Sequence, residues 1–135
     1  MKSAPLGCLF AILLGSSGCA APPPACGPAE TGAVLDTLYF GTDTPQGVVT
    51  IEQWKDFLSQ VVTPSFPAGL TWWEARGQWR GASGAIQQET ARLLQIAHPE
   101  SRDHERSIRA IMERYRTRFR QEAVLRVRVP TCLSY

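Results

Sequence analysis

Arginine and aromatic side chains alternate with small or apolar ones in two segments of this chain, residues 70–80 and 124–129. Guanidinium groups bind carboxylates and phosphates and stack on planar rings, so this alternation indicates an anion-binding or planar-ligand surface. The pattern predicts ligand contacts by six side chains: Tyr39, Trp72, Arg76, Gln78, Arg80 and Arg126.

Two simpler interpretations compete with a ligand site. Arg76 or Arg80 can pair with Glu74 or Glu122, which would leave a merely solvated surface. Alternatively, a second subunit covers the same residues. A second copy of this chain, forming a homodimer, is therefore one predicted partner.

The residues with catalytic potential form no recognised catalytic pattern. His98 and His104 lack an HExxH spacing or a nearby acid cluster, and no GxSxG elbow is present. Glu89 and Glu122 have the chemistry of an acid–base pair, but sequence alone does not place them together. We therefore predict no catalytic residues, no metal site and no cofactor, although an enzyme remains open.

Period-two and period-3.6 patterns indicate the elements that position these side chains. Thr50 and Gln53 form a capping box at the start of the first helix, which ends near Pro64 and Pro67. Ser101 or Asp103 caps the second helix. The predicted order is strand 35–41, helix 51–62, strand 70–80, strand 88–98, helix 101–119 and strand 124–129.

This βαββαβ order predicts a ferredoxin-like α+β domain, with two helices on one face of a four-stranded antiparallel sheet. We call the sheet face away from the helices the open face. Alternation predicts that the open face carries the polar side chains of the strands: Tyr39, Trp72, Glu74, Arg76, Gln78, Arg80, Gln95, Arg126 and Arg128.

The amino terminus has the pattern of an export signal. Lys2 precedes an apolar run at residues 6–14, and small residues follow it. The run is shorter than the roughly 20 apolar residues that a membrane-spanning helix needs. We predict a signal peptide at residues 1–18, an Ala/Pro-rich tether at 19–33 and one domain at 34–135.

Cys19 indicates a lipid anchor. Ser17 and Gly18 before this cysteine resemble the bacterial lipobox, in which the cysteine is acylated and becomes the new terminus. The expected location is the outer membrane, facing the periplasm, with the membrane as partner. A cut before Ala21, which would leave a soluble periplasmic or secreted product, is the alternative.

Cys26 and Cys132 are the two cysteines left after either cut. In an oxidising compartment such a pair usually forms a disulfide, and closing so long a loop stabilises a fold by roughly 4 to 5 kcal/mol. The predicted topology also brings the end of the last strand near the start of the first.

Overall charge argues against binding to nucleic acid. The chain has 14 Lys and Arg residues against 12 Asp and Glu residues, a formal net charge of +2. So small a charge predicts no bulk attraction to a polyanion, and the aromatic pattern of RNA-recognition domains is absent.

Five segments resemble a bacterial family known as domain of unknown function 3574. They are LYFG at 38–41, VVTPSFPAGLT at 61–71, GQWRG at 77–81, QEAVLRV at 121–127 and CLSY at 132–135. The resemblance covers residues 35–135 and implies a compact α+β fold in a small exported or lipoprotein-like chain. It implies no activity. Its signature segments include Gly77, Gln78, Trp79, Arg80, Gln121 and Glu122.

These observations favour an exported envelope lipoprotein that binds a partner or small ligand through its open face. The alternative is an enzyme or carrier similar to dimeric α+β-barrel proteins, in which arginines of two facing sheets hold a small anion.

Overall fold

The computed structural model of the chain describes residues 25–135. The predicted signal peptide and Cys19 lie outside these residues. The described elements follow in chain order: β1 (Thr31–Gly41), β2 (Asp43–Thr44), β3 (Gly47–Val48), α1 (Ile51–Phe57), α2 (Thr63–Ser65), β4 (Thr71–Arg80), β5 (Ile86–His98), α3 (Arg102–Phe119) and β6 (Leu125–Leu133). A π-helical turn at Leu58–Val62 joins α1 to α2.

The main sheet has the strand order β4-β5-β1-β6, and each neighbouring pair is antiparallel. The helical segments α1–α2 and α3 are the two connections that cross the sheet, which confirms the predicted ferredoxin-like α+β topology. A small hairpin formed by β2 and β3 was not predicted, because the sequence there reads only as a turn cluster.

The first helical segment begins and ends where its sequence predicts. The Thr50 hydroxyl accepts a hydrogen bond from the Gln53 backbone N–H, and the Gln53 side-chain oxygen accepts one from the Thr50 backbone N–H, which completes the capping box. The helix widens into the π-helical turn just before Pro64. Phe66 then leaves the helical conformation because it precedes Pro67.

The long helix α3 presents its predicted apolar stripe to the sheet. The Ser101 hydroxyl accepts from the His104 backbone at 3.1 Å, so Ser101 is the N-cap. Ile108, Ile111 and Tyr115 are almost fully buried. The helix ends at Arg120, whose φ of 52° is left-handed.

Aromatic side chains dominate the core between the helices and the sheet. Phe40, Trp54, Phe57 and Tyr115 are all fully buried, and their ring centroids lie 4.5 to 6.1 Å apart. Edge-to-face packing of this kind contributes beyond simple burial of area.

The alternation of β4 is opposite to the prediction. Trp72 pairs with buried Leu94, and its ring packs on Trp54 at 6.0 Å, so Trp72 faces the helices. By alternation, Glu74, Arg76, Gln78 and Arg80 also lie on the helix side, and the prediction that they line the open face is wrong. These four polar side chains are nevertheless exposed, so the helices do not bury them.

The alternation of β6 is also opposite to the prediction. Arg126 pairs in register with buried Leu38, and Arg128 with buried Asp36, so both arginines lie on the helix side. Placing them on the open face was wrong. The reason is electrostatic, because Asp36 and Glu105 lie on that side and attract them.

The first strand is longer than predicted and carries the disulfide. β1 begins at Thr31 rather than Leu35, so the last residues of the predicted tether belong to the sheet. Gly32 pairs in register with Cys132, and the predicted disulfide between Cys26 and Cys132 is present. None of the helices within residues 25–135 has the length and hydropathy needed to cross a bilayer.

Candidate functional site

The open face is nearly free of charge. Of the strand residues that alternate onto it, Glu89 alone is charged, and of the predicted ligand residues only Tyr39 lies there; Gln95 also remains on this face. Large apolar side chains on the two outer strands are instead solvent-exposed: Trp73 (38%), Trp79 (36%), Leu125 (60%), Val127 (42%) and Val129 (48%). The outer strands of the sheet therefore present apolar side chains to solvent on this face.

A polar cleft lies at the end of the sheet where β1 stops and the β4–β5 hairpin continues. We call it the sheet-end cleft, and its volume is about 580 Å³. Two predicted ligand residues, Arg76 and Gln78, line it. The other lining residues are Asp43, Gly77, Gln88, Glu89 and Thr90.

Glu89 is fixed at the edge of this cleft by its contacts with the chain after β1. The Asp43 backbone N–H donates to Glu89 Oε2 at 3.2 Å, and the Gln121 side chain donates to the Asp43 carbonyl at 2.6 Å. The Glu89 carboxylate lies directly above Gly41. A Cβ atom there would come within 2.7 Å of Glu89 Oε1 and 2.8 Å of Gln121 Oε1.

The remaining predicted ligand residues are separated from the cleft. Trp72 packs in the core, and Arg126 belongs to a buried ion-pair network. Arg80 is exposed on the helix side of β4. Neither Arg76 nor Arg80 forms an ion pair with any carboxylate in residues 25–135.

Arg126 joins two carboxylates from different elements. It donates to Asp36 at 2.6 and 3.0 Å and to Glu105 at 3.0 and 2.8 Å. The hydrogen bond from Arg126 lowers the pKa of Glu105 to about 2. The hydrogen bond to Asp36, followed by that to Glu105, raises the pKa of Arg126 well above its usual value.

The two histidines are tied into the fold next to this network. His98 Nε2 lies 2.9 Å from Asp36 Oδ2, and the Nδ1 atoms of His98 and His104 both face the Pro99 carbonyl, at 2.9 and 2.8 Å. Both ring nitrogens of His98 therefore lie within hydrogen-bond distance of a partner, one in a side chain of β1 and one in the backbone after β5.

The structure places one group of three metal-type ligands together within residues 25–135, namely Cys26, Glu30 and Cys132. Its two sulfur atoms form the disulfide and offer no thiolate. Glu89 and Glu122, the carboxylates considered as an acid–base pair, line different cavities.

Sequence reasoning missed Arg92, a buried cation beside the cleft. It is 4% exposed, and its Nε and Nη1 atoms form no hydrogen bond with the described residues. Its guanidinium carbon lies 5.9 Å from the centre of the Trp54 ring. The available signal was an arginine with the same alternation as the apolar residues Leu94 and Ile96.

Two solved structures share this fold at low sequence identity. One is a phage SAM lyase in complex with S-methyl-5'-thioadenosine, with a TM-score of 0.60 and 17% identity over 85% of this chain and 97% of that one. The other is a phage SAM lyase in the apo state, with a TM-score of 0.56 and 15% identity over 77% of this chain and 90% of that one. No curated protein sequence matches this chain.

The sequence also matches a family model over residues 35–135, from β1 to the carboxyl terminus. This span contains the open face, the sheet-end cleft and the Asp36–Arg126–Glu105 network. The chain therefore belongs to the family described as protein of unknown function (DUF3574).

Proposed function

We propose that this protein is an exported binding module whose open face pairs with the open face of a second copy. The observation that carries the proposal is the composition of that face, on which Glu89 is the one charge among the residues of four strands. A charge-poor apolar surface is costly in water and favours burial against a similar surface.

The size of the face suits such a pairing. Four strands about 4.8 Å apart, with roughly ten residues each at about 3.3 Å, span approximately 600 Å². Two copies would together bury roughly 1,200 Å², the lower end of the range for specific protein interfaces. Packed sheets of this kind lie about 10 Å apart, which leaves room for interdigitating side chains.

The first test is the oligomeric state of the purified full chain, by sedimentation equilibrium in density-matched detergent. We expect two chains for the wild type and one chain for V127E, because Val127 is 42% exposed on the open face. The matched control is A110E, which adds the same charge to an exposed position of α3 and should leave two chains.

A wild type that sediments as one chain at every concentration would rule out the second copy as the occupant. A dimer that V127E leaves intact would place the interface elsewhere. In either case the open face would have to be covered by another molecule or exposed in solution.

We further propose that the module is exported and anchored in the outer membrane through an acylated Cys19. The support is the amino-terminal pattern together with a disulfide between Cys26 and Cys132, a bond typical of oxidising compartments. Two or more acyl chains give stable anchoring, whereas one chain does not.

Intact mass of the protein from fractionated cells tests this proposal. We expect the mass of residues 19–135 with acyl chains and an oxidised cysteine pair, recovered with outer membranes. C19A should abolish acylation. An uncleaved chain in the cytosol with free thiols would contradict export, and a chain starting at Ala21 would contradict the anchor.

A second candidate function is binding of an adenosyl sulfonium compound. The observation that favours it is the likeness in fold to a phage SAM lyase in complex with S-methyl-5'-thioadenosine. A sulfonium is a cation, and Glu89 places a carboxylate on the same sheet face as the exposed Trp79 ring. Carboxylates and indole faces both attract cations.

Calorimetric titration with SAM and with S-methyl-5'-thioadenosine, combined with chromatography of the reaction mixture, tests this candidate. We expect saturable binding of SAM that E89Q weakens, because the charge is lost while the shape is kept. No heat and no product with the wild type would exclude the candidate.

A further inference from the structure

Three buried side-chain nitrogens lack a hydrogen-bond partner in the described part of the chain, and they cluster in two residues. They are Nε and Nη1 of Arg92 and Nε1 of Trp54. Arg92 is 4% exposed and Trp54 is fully buried. The guanidinium carbon of Arg92 lies 5.9 Å from the centre of the Trp54 ring, so all three donors share one region of the core.

The buried carboxylate of Asp36, unlike the guanidinium of Arg92, is paired. Asp36 is fully buried and receives hydrogen bonds from Arg126 on both carboxylate oxygens, and His98 Nε2 lies 2.9 Å from its Oδ2. Arg92, by contrast, keeps two of its three nitrogens unpaired. A buried cation without a partner strongly opposes folding, so an unpaired one indicates a ligand-binding role.

The unsatisfied groups are all N–H donors, so they require an acceptor, and the Arg92 charge favours a negative one. The nearby hydroxyl groups of Tyr115 and Thr42 donate to the Gly41 and Thr90 carbonyls, and neither hydroxyl oxygen accepts a hydrogen bond from Arg92 Nε or Nη1. Glu74 lies opposite Arg92 in the β4–β5 register but forms no hydrogen bond with it within 3.5 Å.

The sheet-end cleft extends to Thr90, whose side chain is next to that of Arg92 on the same side of β5. Thr90 lines the cleft, and it is one side-chain repeat, about 6.6 Å, from Arg92 along the strand. Arg76 pairs in register with Thr90 and also lines the cleft. The cleft volume of about 580 Å³ falls in the range of small-molecule sites.

We propose that Arg92 and Trp54 bind the carboxylate of a small organic acid that enters through the sheet-end cleft, with Arg76 at its entrance. Asp43 and Glu89 also line the cleft, and their charges oppose a multiply charged anion such as phosphate. A monocarboxylate meets less repulsion. Arg92, Thr90 and Arg76 lie on the helix side of the sheet, so binding to Arg92 does not depend on pairing of the open faces.

Thermal unfolding of the full chain tests the proposal, with sodium benzoate, sodium acetate or sodium phosphate replacing sodium chloride at constant ionic strength. We expect the two carboxylates to raise the unfolding midpoint of the wild type saturably, and the part of the phosphate effect that depends on Arg92 to be smaller. R92M should lose this response. In chloride alone its midpoint should equal or exceed that of the wild type, because an unpaired buried charge has been removed.

Control variants separate binding from folding. R102M changes an exposed arginine of α3 and should respond as the wild type does. W54F removes one donor and keeps an aromatic ring, so it should weaken carboxylate binding by about tenfold. R92K serves if R92M does not fold, and it should bind at least about tenfold more weakly because it lacks the guanidinium nitrogens.

Several results would overturn the proposal. Equal midpoints of the wild type in all four salts would mean that the donors bind no carboxylate. A response that R92M retains would place the site elsewhere. A larger effect of phosphate that R92M abolishes would contradict the carboxylate assignment, whereas stabilisation by phosphate that R92M retains is the general effect of an excluded salt. V127E should keep the carboxylate response even when it is monomeric, so failure of the dimer proposal remains distinguishable from failure of this one.

Discussion

Arg126 on β6 donates to both carboxylate oxygens of Asp36 on β1, at 2.6 and 3.0 Å, and Asp36 is fully buried. The same guanidinium reaches Glu105 on α3. One side chain therefore ties an outer strand, a central strand and the long helix together. The network accounts for two arginines that the sequence pattern assigned to the open face.

Substitution R126M should lower the free energy of unfolding by about 3 kcal/mol, because it removes the guanidinium that pairs with the buried Asp36 carboxylate. Urea denaturation measures the change. R106M removes an arginine whose ion pair with Asp103 is exposed, and it should change stability by less than about 0.5 kcal/mol. Equal effects of the two substitutions would contradict a structural role for the network.

Stability should fall in acid partly through Glu105. Its pKa is lowered from 4.5 to about 2 in the folded protein, chiefly by the hydrogen bond from Arg126. A lowered folded pKa contributes stability above the unfolded pKa and loses it as pH falls toward the folded one. The stability advantage of the wild type over E105Q should therefore be full above about pH 5 and shrink toward pH 2. A difference that is constant across this range, in urea titrations at each pH, would contradict the assignment.

Gly41 should not tolerate a side chain. A Cβ atom would lie 2.7 and 2.8 Å from the Glu89 carboxylate oxygens and 2.8 Å from Gln121 Oε1, so G41A must displace both groups. We expect a loss of about 1 to 3 kcal/mol in the free energy of unfolding.

Two variants check the reason for this loss. G77A is the matched control, since a Cβ at Gly77 meets no atom within 4 Å, and its stability should change little. The double variant G41A/E89A should recover part of the loss, because the displaced carboxylate is gone. A G41A protein as stable as G77A would show that the Glu89 contact is easily rearranged.

The disulfide should hold the ends of β1 and β6 together. Replacing Cys26 and Cys132 by serine should lower the free energy of unfolding by about 2 to 5 kcal/mol, since the bond closes a loop between positions 106 apart. Hydrogen exchange should accelerate most at Thr31 and Gly32, which pair with the end of β6. Uniform acceleration across the sheet would instead indicate global destabilisation alone.

Local patterns predicted most of the elements because local physics decides them. The capping box at Thr50 and the cap at Ser101 satisfy backbone groups within a few residues, so they can be recognised in the sequence. The helical stripes were also correct, because each helix has one apolar face to bury. The β2–β3 hairpin was missed, since two-residue strands carry no alternation.

The facing of the strands could not be predicted by the same reasoning. In β4, Trp72 and Trp73 are adjacent indoles, and either one could face the core. Alternation assigned the more apolar set inward, but that set became the open face. Because of this error, Arg76 and Gln78 were predicted on a flat sheet surface, whereas in the structure they line the sheet-end cleft.

The amino-acid sequence alone determined the βαββαβ order, the helix boundaries, the cysteine pair and the family, because each depends on spacing along the chain. The tertiary structure alone decided which side of the sheet each strand turns toward the helices. It also decided that Arg92 lies unpaired beside Trp54 and that Glu89 covers Gly41. These relationships depend on distances between segments that are far apart in the chain, and alternation along a single strand does not contain them.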